Sequence, residues 1–420
     1  MSRIDELITE LCPDGVEFKA LGDIAQIVRG NGMPKAVLTD KGVGAIHYGQ
    51  IYTHYGVWAT ETLSFVSAET AVKLAKVAPG DIIITNTSEN IDDVGKALAW
   101  LGVETIVTGG HATVIKHDQE PKYLAYWFAS KDFSVQKRKL ATGTKVIDVS
   151  AKQLAIVRIP VPPLEVQREI VRILDEFTQL EAELEAELEA RKKQYVYYRD
   201  QLLSFQTVDA DTRISSLSPS EVRWATLEEV FDLRQGYTPR KSDELAWISQ
   251  DVPWFRMEDI RKKGGVLWGA LQGVSNSAVK GKGLFPEDSF LVATSATVGV
   301  HAWVRVPHLS NQRFTNLALK SGYAETFELR FLYYYLFKLD EWCLRNSNVS
   351  SFASVDMAAF RRFPIPIIPT DEQRWIASSL EKFDALVNDL SSGLPAEISA
   401  RRKQYEYYRD KLLTFKEATA

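Results

Sequence analysis

A single internal repeat limits what this chain can fold into more than any other feature. Residues 190–205 read ARKKQYVYYRDQLLSF and residues 400–415 read ARRKQYEYYRDKLLTF, identical at 12 of 16 positions. Weaker matches extend the repeat over both halves. RIPVPPLEVQREI (Arg158–Ile170) answers RFPIPIIPTDEQRWI (Arg362–Ile376), and FKALGDIAQIVRG (Phe18–Gly30) answers WATLEEVFDLRQG (Trp224–Gly236). APGD at Ala78–Asp81 answers FPED at Phe285–Asp288, and YLAYWF at Tyr123–Phe128 answers FLYYYLF at Phe331–Phe337. A period this long is no solenoid. It is the duplication of a whole domain with its helix. The helices stay nearly identical while the bodies diverge, which suggests one shared task and two different targets.

From Leu164 prolines disappear, and apolar residues fall at Ile170, Ile173, Leu174, Phe177, Leu180, Leu184 and Leu188, then Tyr195, Tyr198, Leu202 and Phe205. Steps of three and four predict one amphipathic helix, roughly 60 Å long at ~1.5 Å per residue. Such a helix needs a partner along its stripe. Its copy offers one, through Ile376, Leu380, Phe383, Leu386 and Leu390, then Ile398, Tyr405, Tyr408, Leu412 and Phe415. Gly393 and Pro395 predict a break between those two runs. Within the first helix LEAE recurs in tandem from Leu180 and Leu184, with a truncated third copy at Leu188. One tetrad adds about 6 Å and about 40° beyond a full turn, as an adjustable spacer would. The plain alternative is a strong helix former used as filler.

The expected domains are 1–160, a helix over 161–206, a second body over 207–365, and a second helical region over 366–420. Both bodies read as mixed α/β. Strands are expected at Ala45–Tyr52, Asp81–Thr85, Thr105–Val107, Ala112–Lys116 and Ala155–Pro160 in the first body. In the second they fall at Val252–Arg256, Ser289–Ala293, Val300–Val304 and Asn316–Lys320. An aromatic helix follows in each, Tyr123–Phe133 or Phe327–Leu344, whose aromatics at helical spacing suit a core.

The net charge of −5 looks unsuited to a nucleic-acid partner until it is divided. Residues 161–206 carry 6 basic and 10 acidic side chains, whereas 1–160 carry 17 and 18, and 207–365 carry 19 and 18. The bodies are near neutral, so each could present a basic face to phosphates. The N-terminal stretch lacks the apolar segment of a signal peptide, and no apolar run reaches the ~18 residues that span a bilayer. Cys12 and Cys343 sit in no metal-ligand or redox spacing. A cytoplasmic chain with reduced thiols is expected.

Catalytic motifs are absent. There is no Walker A loop, HExxH, GxSxG or post-strand GxGxxG, and no amino-methyltransferase motif. Asp81 with Glu120 and Lys122 would make only a loose nuclease set with no copy in the second half. His111 with His117, or His301 with His308, lack a third ligand and read as ordinary histidines. No metal or cofactor is therefore expected on this chain. What remains are polar loops in matching places. Arg29, Asn31, Lys35, Gln50 and Asn86 in the first body answer Arg234, Gln235, Tyr237, Arg240, Lys241, Arg256, Gln312 and Arg313 in the second. Arg, Gln and Asn can make paired hydrogen bonds to base edges in the major groove. Lys137, Arg138 and Lys139, like Arg261-Lys262-Lys263, suit phosphates.

The sequence resembles the specificity subunits of type I restriction–modification systems. The carriers are IDELITELCPDGVEF, IPVPPLEVQREIVRILDEF, the tetrads, and RKKQYVYYRDQLLSF with its copy. The tetrads resemble the subgroup in which their number tunes half-site spacing. The resemblance implies two globular mixed α/β target-recognition domains separated by two long antiparallel helices with pseudo-twofold symmetry. Such a chain would read a split, asymmetric double-stranded DNA target without catalysing anything itself. It would dock two modification subunits, which use S-adenosylmethionine to methylate adenine, and restriction subunits that use ATP and Mg2+. Gln167 and Ile170, with Gln373 and Ile376, fall on the family's strand-to-helix junction; the second junction is longer. Contacts to DNA do not transfer from the family, because the reading loops vary. A helical scaffold that dimerises enzymes without reading sequence is the alternative.

Overall fold

The computed structural model describes residues 3–205, 222–348, 353–389 and 391–418. The first part of the second expected body, and Leu390, lie outside the described residues. The chain forms two compact units, Met1–Ala186 with Glu397–Ala420, and Glu187–Ala396. These cut across the linear order expected above. Each unit is completed by the helix that carries the other copy's ARKKQY-type motif.

The first unit is built on a five-stranded sheet. Its strand order is Ala25–Arg29, Ala112–His117, Ile82–Thr85, Ala97–Trp100 and Trp58–Ala59. All pairs are antiparallel except the last, which is parallel. The central strand IIIT is buried throughout, because both of its faces are covered. Ile82 and Ile84 join the core with Tyr123, Tyr126 and Trp127, whereas Ile83 joins the opposite core with Ile46, Val77 and Trp100. That opposite face is covered by a smaller sheet, in the order Ser64–Val66, Val43–Ile46, Ile106–Thr108, Ala75–Val77.

The second unit repeats this plan. Its sheet runs Phe231–Gln235, Phe314–Leu319, Ser289–Ala293, His301–Val304, Val266–Leu267, again with only the last pair parallel. Phe290 and Val292 face the helix-side core; Leu291 and Ala293 face the other. The small sheet here is Gly273–Val274, Val252–Phe255, Leu309–Ser310. Each body also closes its ends with a short antiparallel pair, Phe18–Ala20 on Arg158–Pro160 and Arg223–Thr226 on Pro364–Ile367.

The long helix spans Leu164–Leu202. Its copy is broken as Gly393 and Pro395 predict, into Thr370–Asn388 and Leu394–Leu413. Two expected elements need correction. Ala45–Tyr52 is a strand only over Val43–Ile46, and Tyr48–Thr53 is a helix. His47 starts it: the Gly49 N–H donates to His47 Nδ1 at 3.1 Å and the His47 N–H donates to Gln50 Oε1 at 2.9 Å. Such reciprocal caps override the strand propensity of the local sequence. The aromatic helix Tyr123–Phe133 is two helices, Pro121–Phe128 and Lys131–Leu140, the second capped by Ser130 through the Phe133 N–H.

Candidate nucleic-acid interface

At one end of each five-stranded sheet four loops meet, and backbone hydrogen bonds set them in the same register in both units. Gly30 N–H donates to Ala112 O at 2.9 Å, and Gly236 N–H donates to Phe314 O at 2.9 Å. Asn86 N–H donates to His111 O at 2.8 Å, and Thr294 N–H donates to Arg313 O at 3.0 Å. A side chain at Gly30 would place its Cβ 2.0 Å from Gly109 O, and one at Gly236 would come within 2.2 Å of Asn311 O. Glycine is therefore required for this close approach of two strands' ends. The framework is shared. Positions 86, 87 and 111 of the first unit correspond to 294, 295 and 313 of the second. The helix starts His47 and Arg256 correspond likewise, each following the small-sheet strand that has one antiparallel and one parallel neighbour.

The side chains on this framework differ. In the first unit Thr87 Oγ1 lies 2.7 Å from His111 Nδ1. Tyr48 packs between the His47 and His111 rings, at centroid distances of 4.4 and 4.8 Å. Burial, with the positive charge of Lys35 and the neighbouring His111, holds the His47 imidazole below its ordinary pKa. In the second unit Gln235 Nε2 and Thr238 Oγ1 bind the Gln312 backbone and side chain respectively. Asn311 N–H donates to Phe255 O, which brings this turn beside Arg256. Arg256 lies 5.6 Å from the Trp254 ring centroid, and its Nε is buried without a hydrogen-bond partner. Beside it runs an open groove of about 600 Å³ whose lining includes Lys241, Trp247, Ile248 and Gln272.

The residues singled out from the sequence divide into two sets. Arg29, Lys35, Lys139, Arg240, Lys241 and Arg313 are exposed, and none forms an ion pair among the described residues. Asn31 and Gln312 are exposed with a structural bond each, Asn31 to Lys73 O at 2.6 Å. Arg138 makes only a 3.5 Å contact with Asp92. Others are engaged in bonds within the fold. Asn86 is wholly buried, donating to Val149 O and accepting from Thr113 Oγ1. Lys137 is buried, and its ammonium binds Val94 O and Asp92 O. Gln50 bridges His47 and Ser64. Arg234 binds Gly283 O and Leu284 O over the Phe285 ring. Tyr237 donates to Ala278 O. His111, which the sequence suggested only as a possible metal ligand, lies in this cluster with His47 and Tyr48, part of a loop the sequence already marked as polar.

The loose nuclease set is not assembled. Asp81 caps the Ala78 N–H and pairs with Lys116, while Lys122 pairs with Asp175 at 2.7 Å. No group of metal-ligating side chains occurs among the described residues, and no helix there is long and apolar enough to cross a membrane.

The helices repeat their contacts as closely as the bodies do. Gln167 accepts from the Glu120 N–H at 3.0 Å and donates to Pro162 O at 2.8 Å. Gln373 accepts from the Glu328 N–H at 2.9 Å and donates to Ile368 O at 2.8 Å. Each glutamine thereby ties the start of a long helix to the start of the body's aromatic helix. Ile170 and Ile376 are fully buried beside them. In the first unit Tyr408 stacks on Phe177 at 5.5 Å, Tyr405 meets Tyr126, and Arg402 pairs with Glu181 and Glu185. In the second, Tyr198 stacks on Phe383 at 5.7 Å and Tyr195 is buried. Leu184 and Leu188 are half-buried, and Leu188 packs on the second unit's core; Leu180 is more exposed, at 36%. Next to each stack one tyrosine faces outward, Tyr197 at 57% and Tyr407 at 63% exposure.

One framework is carried twice, with unlike loop ends and like helices. A family model described as type I restriction modification DNA specificity domain matches residues 13–190 and again 219–400. The chain belongs to that family. The type I restriction enzyme EcoprrI specificity subunit of Escherichia coli is 53% identical over 204 residues, 47% of this chain and 51% of that protein. The EcoR124I/EcoR124II specificity subunit, also from Escherichia coli, is 35% identical over 274 residues, 61% of this chain and 63% of that protein. These two matches thus span only about half to three-fifths of the relatives' length. A putative specificity subunit of Haemophilus influenzae is 26% identical over 95% of this chain and 96% of its own. Among solved structures, a chain from a study of assembly and conformational transition of the type I R-M system shares the fold, with a TM-score of 0.69 at 18% identity over 96% of this chain and 98% of that one. The HsdS subunit from Thermoanaerobacter tengcongensis gives 0.54 at 18% identity, covering 96% and 97%.

Proposed function

We propose that this chain is the DNA sequence-specificity subunit of a type I restriction–modification complex. Each unit's loop end reads one part of a split, asymmetric target in double-stranded DNA. The observation that carries this reading is the pairing of an identical backbone register with different side chains at the four loops. A scaffold needs no such difference, whereas two base-reading surfaces require it. The free cations Arg29, Lys35, Lys139, Arg240 and Lys241 would hold phosphates, and Arg256, Gln312 and Arg313 would face base edges. The repeated helix pairs, each with an outward tyrosine, would dock two modification subunits alike. Chemistry would belong to the partners: S-adenosylmethionine in the modification subunits, ATP and Mg2+ in the restriction subunits. The chain itself would catalyse nothing and would work in the cytoplasm.

The test is enrichment of a random duplex library by the chain in complex with its modification partner. Two short specified stretches around a fixed unspecified gap are expected. A stable complex that enriches no sequence would replace this reading with the scaffold.

A further inference from the structure

We infer that positions 111 and 313 are the specificity-determining position of the first and second unit respectively, occupied by an imidazole in one and a guanidinium in the other. The inference rests on the DNA-reading proposal and goes further, naming the side chain in each unit that chooses a base. Both residues lie immediately before the second strand of the five-stranded sheet, Ala112–His117 or Phe314–Leu319. Their carbonyls accept from Asn86 and Thr294, and the following carbonyls accept from Gly30 and Gly236. The backbone is thus pinned on both sides, and both side chains are exposed. A rigid mount with a free end is what base selection requires.

The free ends differ in what they can bind. The Arg313 guanidinium has no partner among the described residues, and the Arg313 backbone N–H donates to Asn311 Oδ1 at 3.1 Å, which fixes the turn. A free planar fork of donors matches the O6 and N7 acceptors of guanine. His111 is held from two sides, by Thr87 Oγ1 at 2.7 Å and by the Tyr48 ring. That leaves Nε2 as its one unbonded nitrogen, able to make a single hydrogen bond to a base edge. The half-site read by the second unit therefore contains a guanine set by Arg313. The half-site read by the first contains a base set by one contact to His111.

The experiment is the same library enrichment with the full chain and its modification partner, comparing wild type with Arg313→Ala, His111→Arg and Thr87→Val. Arg313→Ala should erase the guanine preference at one position, a discrimination on the order of ten- to a hundredfold, and leave the other half-site as it was. His111→Arg should change the chosen base at one position of the other half-site. Thr87→Val, which unpins the ring without removing it, should weaken the preference at that same position. If these variants weaken binding to all sequences equally, with a shallower salt dependence and an unchanged motif, the residues hold phosphates and the inference is wrong. If wild type itself enriches no sequence, the parent reading fails before this one is reached.

Discussion

Replacing either junction glutamine by methionine should destabilise its own unit, and by the same amount in both. Methionine keeps the volume of the side chain but removes its hydrogen bonds. In the first unit Gln167→Met leaves the Glu120 N–H and the Pro162 carbonyl without the partners that Gln167 now supplies at 3.0 and 2.8 Å. Gln373→Met does the same to the Glu328 N–H and the Ile368 carbonyl, at 2.9 and 2.8 Å. Both glutamines are at most 1% exposed, so water cannot easily substitute. At about 1–3 kcal/mol for each stranded group, the loss comes to roughly 3 kcal/mol. For a unit of this size that is a fall of about 6–12 °C in Tm. Urea unfolding of the full-length chain, followed by tryptophan fluorescence, measures it. Losses under about 0.5 kcal/mol, or losses that differ severalfold between the two variants, would refute the argument that the junctions are equivalent hydrogen-bonded staples.

Three further outcomes follow from the same contacts. His308 is buried and its pKa is lowered to about 4, chiefly by desolvation, so the folded state keeps it neutral. Its contribution is present above the ordinary imidazole value and is lost as pH falls from about 6.5 towards 4, on the order of 3 kcal/mol; His308→Gln should flatten that part of the stability-against-pH curve. Asn86→Ala should lower stability by about 1–3 kcal/mol, because Val149 O and Thr113 Oγ1 lose their buried partner, while the enriched DNA motif stays the same. Inserting one LEAE tetrad after Glu187 should lengthen the unspecified gap of the target and keep both specified parts; an unchanged gap on sequencing the enriched duplexes would make the tetrads mere filler.

The repeat made most of the architecture legible. A motif identical at 12 of 16 positions marks the helices, and the break at Gly393 and Pro395 follows from backbone chemistry alone. Central strands such as Ser289–Ala293 were readable because continuous apolar runs bounded by turns have few other uses. The site was less legible. Asn86 and Lys137 have side chains suited to DNA, yet their burial depends on Val149, Val94 and Asp92, partners distant in sequence that no local pattern announces. The strands Ala25–Arg29 and Phe231–Gln235 were overlooked because their half-buried, polar-interrupted sequences carry little strand signal. His111 stood out as a candidate reader only once the sheet brought Thr87 and Tyr48 to it. A usable cue did exist, since aligning the two halves at Ala112 and Phe314 places His111 on Arg313.

Two unlike surfaces on one duplicated framework, each reading part of a DNA target, should leave a split pattern of methylation. Single-molecule sequencing of methylated adenines in cells expressing this chain with its modification partner tests it most directly. One asymmetric motif is expected, two short specified parts separated by a gap of constant length. Methylation that is absent, scattered, or confined to a single uninterrupted site despite a stable complex would contradict it.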